Sequence, residues 1–306
     1  MYAKLVANPD FNIATANNAG VRLKEISDVV TGVITSATKN TLVSFDSVSS
    51  TIVDSVAPGW TMFYTTPADF AMAVGAAGSV IWTSPTSKAT RNKFFKLAHT
   101  ATTSLMTGYM ASSYTTEGVA TNETNVAHSG WALSGLPVLY IKAVPGCLLF
   151  HAINNDSNAA TSEPDIVGVI ERTVYGYDTA TTETPQVYVS INAVDGNSGC
   201  KVCGKYNPGL DSYTAIADLS VRLKTFATTG SSPGISRDAT GAVAAPFVPL
   251  VIDDLASGWV GGNLSENSGF YRTANDLGRT NDLVVKDTKN YRVWTVGNYR
   301  YLVEEA

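Results

Sequence analysis

Apolar and polar positions recur along this chain with two different periods, and the change of period divides it. Between Val21 and Ala37, the residues Leu23, Ile26, Val30, Val33, Ile34 and Ala37 return at three- and four-residue spacing, which marks one face of a helix. The spacing predicts a helix that starts after Asn17-Asn18 and fades at Lys39-Asn40, with Gly32 as its weakest point. The stripe lasts only about two to three heptads and has few flanking charges. The helix is therefore expected to pack on a β core instead of projecting as a coiled coil.

After residue 40 the period becomes that of strands. "TIVDSVAPGWTMFYTT", "SVIWTS", "KFFKLAHT", "LPVLYIKAV", "CLLFHAI", "IVGVIERTVYGY", "QVYVSINAV" and "LSVRLKTFA" are short β-branched or aromatic runs. Pro58-Gly59, Pro85, Pro145-Gly146, Asp195-Gly196 and Pro208-Gly209 separate them with turn chemistry. The reading is a mainly β chain: one or more sandwich- or barrel-like β domains, a short N-terminal helix and a C-terminal β-hairpin. Strands alternating with long amphipathic helices are missing from the pattern, which argues against a doubly wound sheet. Four segments follow: residues 1–45 with the helix, a main β domain over 46–230, a Gly/Ser/Ala/Pro-rich linker over 231–249 and a C-terminal β segment over 250–306.

The last stretch, "DTKNYRVWTVGNYRYLVEEA", carries the sharpest structural expectation. With Gly297-Asn298 as a two-residue turn, Val296 faces Tyr299, Trp294 faces Tyr301 and Arg292 faces Val303 on one side. On the other side Thr295 faces Arg300, Val293 faces Leu302 and Tyr291 faces Glu304. Aromatic side chains bury ~150–250 Å² each, so at roughly 25 cal/mol per Å² either face left in water forgoes substantial stabilisation. Trp294, Val296, Tyr299 and Tyr301 are expected to form a core against the chain's own C-terminal segment. Tyr291, Val293 and Leu302 are expected to meet a neighbouring chain, with Arg292 and Arg300 at the rim, pairing with carboxylates or stacking on tyrosines.

Composition supports crowded contacts. Of 306 residues, 44% are hydrophobic and 15% charged, against roughly 25% charged in an average domain. The net charge of −5 and pI of about 5.2, with scattered basic residues, argue against a nucleic-acid partner. No run approaches the ~18 apolar residues of a membrane span. The opening "MYAKLVANPDFN" lacks the regions of a signal peptide. A chain that starts at its own Met1, with no membrane partner, is the expectation.

Candidate chemistry is sparse. "CKVCGKYNPG" resembles one knuckle of a zinc ribbon, yet structural zinc needs four ligands, and beyond Cys200 and Cys203 only Cys147, His99, His128 and His151 remain, all distant in sequence. If the segment is a strand, Cys200 and Cys203 point to opposite faces. The histidines fit no triad or metalloprotease motif. Glu163, Asp165 and Glu171 cluster beside a strand, where paired carboxylates could act on glycosides; strand-end charges are the plainer reading. Trp60, Trp82, Trp131, Trp259 and Trp294 could form a sugar platform or, more simply, core. No catalytic residue, metal ligand or cofactor is therefore assigned.

The order of segments carries a resemblance. An N-terminal helical stretch is followed by "SVSSTIVDSVAPGWTMF", "SVIWTSP", "NKFFKLAHT", the paired "LPVLYIKAVPGCLLFHAIN" and "GVIERT…PQVY". From about Val21 to Tyr188 this resembles virion proteins of tailed bacteriophages, of tail, baseplate or fibre-associated type. The resemblance implies a non-enzymatic structural component that is made in the host bacterial cytoplasm and resides in the virion. It also implies homo-oligomerisation and contact with other virion proteins. The alternative expectation is a receptor- or carbohydrate-binding virion protein whose partner is a host surface glycan, with a depolymerase as a third reading.

Overall fold

The computed structural model describes residues 1–6, 18–33, 52–53, 58–73, 76–85, 94–99, 105–111, 113–121, 124–125, 131–132, 138–153, 164–171, 186–192, 199–202, 205–207, 212–214, 221–224, 236–237, 243–244, 247–254, 259–274, 277–296 and 299–305. Within them the chain is mainly β, with a helix at Asn18–Thr31 and open antiparallel sheets, none of which closes into a barrel.

Two runs in the middle of the sequence organise everything else. Val138–Val144 and Cys147–Ile153 pair from Val138↔Ile153 to Val144↔Cys147 around Pro145-Gly146. Gly146 takes φ +75°, which costs glycine little in the third position of a Pro-Gly turn. Leu139, Ile141, Ala143, Leu148 and Phe150 point into one core, while Tyr140, Val144, Cys147 and Leu149 point into another. A strand buried on both faces needs apolar residues at successive positions, which explains the unbroken run "VLYIKAV". Among the described residues these strands belong to a ten-stranded sheet. Its order is Ile52–Val53, Tyr2–Val6, Val138–Val144, Cys147–Ile153, Pro164–Glu171, Gln186–Asn192, Gly199–Val202, Val221–Lys224, Val251–Asp254, Trp259–Asn263.

A second sheet and the helix cover the first face. The sheet comprises Thr61–Thr66, Gly78–Thr83, Phe94–His99, Leu105–Ala111 and the short Trp131–Ala132, with Thr124–Asn125 also paired to Leu105–Ala111. Leu23, Ile26, Val29 and Val30 of the helix join Trp60, Val80, Trp82, Phe95 and Leu97 in this core. The indole N–H groups are satisfied there: Trp82 donates to Ser27 Oγ at 3.1 Å and Trp60 to the Val144 carbonyl at 2.9 Å. The helix thus packs on the β core as its short stripe predicts. It ends at Thr31, earlier than the spacing predicts, because Gly32 adopts φ +76° and its N–H turns back to the Val29 carbonyl at 3.2 Å. Val33 is 60% exposed, while Ile34 and Ala37 lie outside the described residues.

The C-terminal sheet covers the second face. Its order is Val248–Pro249, Phe270–Thr273, Tyr299–Glu304, Lys289–Val296, Leu283–Lys286. Tyr2, Tyr140, Leu149, Ile166 and Ile170 of the central sheet meet Leu264, Phe270, Trp294, Val296, Tyr301 and Val303. The result is three stacked layers, the layered alternative to a barrel. Pairing also runs across the segment boundaries read from sequence: Tyr2–Val6 lies inside the central sheet, and Val251–Asp254 pairs with Val221–Lys224. Ser236–Arg237 and Val243–Ala244, inside the expected linker, form a small hairpin.

A Cβ added at Gly32 would sit 2.9 Å from Pro58 Cδ, and a side chain is unfavourable in the left-handed region. Gly32→Ala is expected to lower stability by about 1–2 kcal/mol, read from the midpoint of chemical denaturation. Unchanged or increased stability would show that this glycine does not terminate the helix.

Candidate functional site

The terminal hairpin is where the sequence placed its candidate residues. Its register is as the alternation predicts: Val296↔Tyr299, Thr295↔Arg300, Trp294↔Tyr301, Val293↔Leu302, Arg292↔Val303 and Tyr291↔Glu304. Gly297-Asn298, the turn itself, lies outside the described residues. Trp294, Val296 and Tyr301 are buried, with Tyr299 packed at their margin. What they pack on is broader than the expected C-terminal segment. The Trp294 indole N–H donates to the Tyr2 hydroxyl at 2.6 Å, and the ring stacks on His151 at 5.1 Å between centroids and 26° between planes. The last hairpin is thereby bonded to the first strand through the face of the central sheet. Burial pushes the Tyr2 hydroxyl well above the ordinary tyrosine range, against a smaller opposing effect of the bond from Trp294.

The other face corrects the expectation of a neighbouring chain. Val293 and Leu302 are fully buried and Tyr291 is 5% exposed within this chain alone. Their cover is Phe247, Tyr271, Leu277 and Val284, with Phe247 edge-on to Tyr291 at 4.8 Å. Tyr271 and Val284 are the same-face neighbours of Leu302 and Tyr291 in the adjoining strands, and Phe247 and Leu277 pack on this cluster from segments earlier in sequence. Arg292 sits at the rim, with Nε donating to Glu305 Oε1 and Nη1 to the Asn281 carbonyl at 3.1 Å. Arg300 donates from Nε to the Gly278 carbonyl at 3.3 Å. Arg272, not singled out from sequence, is the arginine that stacks on Tyr299, at 4.5 Å.

One buried charge escaped sequence reading altogether. Lys142 is 1% exposed, opposite Tyr2 in the register, and its Nζ donates to the Ser268 carbonyl. Burial lowers its pKa, with Cys147 and Glu304 opposing that effect. The signal was present as a single lysine inside "VLYIKAV", but a lone lysine in a strand is ordinarily read as an exposed position. The lysine ties the central sheet to the short helical turn Ser265–Ser268, whose Ser265 Oγ accepts the Leu250 N–H at 2.8 Å.

Other candidate chemistry resolves into packing where it is described. Burial pushes the Cys147 thiol up to about 11, so it stays protonated and unreactive at neutral pH. His99 is buried with Nδ1 3.2 Å from the Ala76 carbonyl, and burial lowers its pKa. Cys200 lies in the strand Gly199–Val202; Cys203, His128 and Glu163 lie outside the described residues, as do the side chains of Cys200, Asp165, Trp131 and Trp259. Glu171 is buried beside the Gly146 turn. Trp60, Trp82 and Trp294 are core residues, 2% exposed or less, which removes them as a sugar platform. Among the described residues no three His, Cys, Asp or Glu side chains gather as metal ligands would. A groove of about 520 Å³ opens between the helix and the strand Thr61–Thr66. Met62 and Val33 line it beside the Lys24–Asp28 ion pair, 2.6 Å long. No protein-family model and no curated protein sequence matches this chain.

Three outcomes follow from this geometry. Trp294→Ala is expected to cost about 3–5 kcal/mol. Val293→Asp with Leu302→Asp is expected to unfold the C-terminal sheet by burying unpaired charge; circular dichroism and near-ultraviolet tryptophan signals measure both. The third outcome is pH-dependent. Burial, then Glu304, Tyr271 and Asp287, push the Tyr291 hydroxyl from the ordinary 10.0 up to about 12. The unfolded chain therefore releases this proton first, and the stability it confers, complete below pH 10, is lost as pH rises towards 12. Tyr291→Phe should flatten that fall in denaturation midpoints across the same window.

Proposed function

We propose that this chain is a non-enzymatic structural component of a tailed-bacteriophage virion, in its tail, baseplate or fibre-attachment region, which assembles with copies of itself and with neighbouring virion proteins. The observation that carries the reading is mechanical. The first strand lies inside the ten-stranded sheet, hydrogen-bonded to neighbours on both sides. The last strand lies inside the C-terminal sheet, between Phe270–Thr273 and Lys289–Val296. The Trp294–Tyr2 bond links the first strand to Lys289–Val296, the ladder partner of the last strand. Both strands are therefore held by a ladder on each side, which ties them into the body of the fold. Such a body suits a part that is held by neighbours on several sides.

Two further features support it. The weakly charged composition, 15% Asp, Glu, Lys and Arg, lowers the cost of desolvating a surface against other subunits. The order of segments from Val21 to Tyr188 resembles that of tail and baseplate proteins. The test is to purify particles from lysed host cells by density gradient and quantify the chain by mass spectrometry. Recovery in the particle fraction at a constant ratio to the other structural proteins is expected. Absence from particles, or turnover of a host polysaccharide by the isolated chain, overturns the reading.

A further inference from the structure

The C-terminal sheet has an outer strand with an unusual surface. Leu283–Lys286 is an edge strand among the described residues. It forms a hairpin with Lys289–Val296 around Asp287 and Thr288, at φ +50° and +67°. Leu283 and Val285 point to one face and are 50% and 62% exposed. That is the face on which Arg292 and Trp294 stand. Val284, on the opposite face, packs against the Tyr291 cluster. Asp282 and Lys286 flank the apolar pair and are both exposed.

The hairpin fixes which backbone groups look outward. In a two-residue hairpin the residues flanking the turn form a hydrogen-bonded pair, and such pairs alternate along the ladder. Lys286 and Val284 therefore bond inward to the neighbouring strand, and the N–H and C=O groups of Val285 and Leu283 point away from the sheet. The Asp282 carbonyl, accepting the Val293 N–H at 3.0 Å, continues the inward series. An added antiparallel strand must set outward residues against outward residues.

We propose that this edge pairs with the same edge of a second copy of the chain, antiparallel about a two-fold axis at Val284. In this register Leu283 of each copy exchanges hydrogen bonds with Val285 of the other, and Val284 faces Val284. Asp282 of each copy lies opposite Lys286 of the other, giving two opposite-charge pairs around an apolar centre. Moving the axis to Val285 sets Leu283 against Asp287 and Val284 against Lys286. Moving it to Leu283 sets Asp282 against Val284. Only the Val284 register matches apolar with apolar and acid with base at all five positions. Asp282 Oδ2 also accepts the Arg279 N–H at 2.7 Å, and Lys286 Nζ lies 4.2 Å from the Phe247 ring centre, contacts that leave both charges at the surface.

The inference rests on the reading that this protein assembles with itself. Five residues of edge are small beside the ~1,600 Å² of a standard interface. The isolated chain is therefore expected to pair with a dissociation constant on the order of 100 μM, tightening where further contacts hold copies together. Sedimentation equilibrium of the full chain up to roughly 500 μM covers that range. Val285→Pro removes an outward N–H at an edge position that tolerates proline and should abolish pairing with the circular dichroism spectrum unchanged. Lys286→Asp alone and Asp282→Lys alone should each weaken association at least about tenfold by opposing like charges. An equimolar mixture of those two variants should regain it, because each mixed pair sets both acids against both lysines. Association that all three variants retain, or a mixture no stronger than its components, overturns the edge register and leaves the self-assembling reading standing. A wild-type chain that stays monomeric throughout overturns the register too, and the particle experiment decides the reading separately.

Discussion

A strand with no wet face imposes the architecture of this protein. In the hairpin Val138–Ile153, side chains on both sides of the sheet are buried, so each face requires a layer of its own. An antiparallel sheet can leave one face in water when its sequence alternates; this one does not alternate. The helix and the Thr61–Thr66 sheet meet one requirement, and the C-terminal sheet meets the other. Each covering layer in turn has an outer side with its own small apolar cluster. Ile81, Phe94, Ala111 and Tyr114 form one, and Tyr291, Val293 and Leu302 form the other. Burial propagates outward until the clusters are small enough for short hairpins and loops to close.

Apolar contact alone does not decide how stacked sheets sit on each other, since it is nearly indifferent to small slides. The polar groups inside the second core restrict that freedom. Trp294 must find the Tyr2 hydroxyl, and Lys142 must find the Ser268 carbonyl, because a buried donor without an acceptor costs about 1–3 kcal/mol. Gly269, at φ +60°, leaves the space where the Lys142 ammonium and the Glu304 side chain approach the chain. These bonds join the first strand, the middle of the chain and the last hairpin. They connect local packing to the way the layers are set on one another, and so to the proposed role of a part held among neighbours.

Much of this was legible in residue order, and the limits were local in origin. The helix start, its buried face and the pairing of the terminal hairpin follow from periods of 3.6 and 2, which depend only on neighbours in sequence. The apolar run "VLYIKAVPGCLLFHAI" announced buried strands. The helix end was misplaced because the stripe of apolar positions continues past Gly32, and periodicity does not register that a glycine has turned left-handed. The outer face of the hairpin was assigned to a neighbouring chain because the area argument was sound and its supplier was unknown. Phe247 and Tyr271 supply it, from positions that carry no signal of their own.

The sequence by itself determined the class of the chain, the register of its last hairpin and the need to cover both of that hairpin's faces. Those properties depend on side-chain alternation and turn chemistry, which act between residues close in the chain or directly opposed. The tertiary structure alone decided that three sheets stack instead of one closing, that Tyr2 meets Trp294, that a lysine lies buried, and that Leu283 and Val285 stand exposed at an edge. Each of these is a contact between segments whose separation in sequence carries no period. Packing, and not local propensity, selects among the many partners that an apolar face will accept.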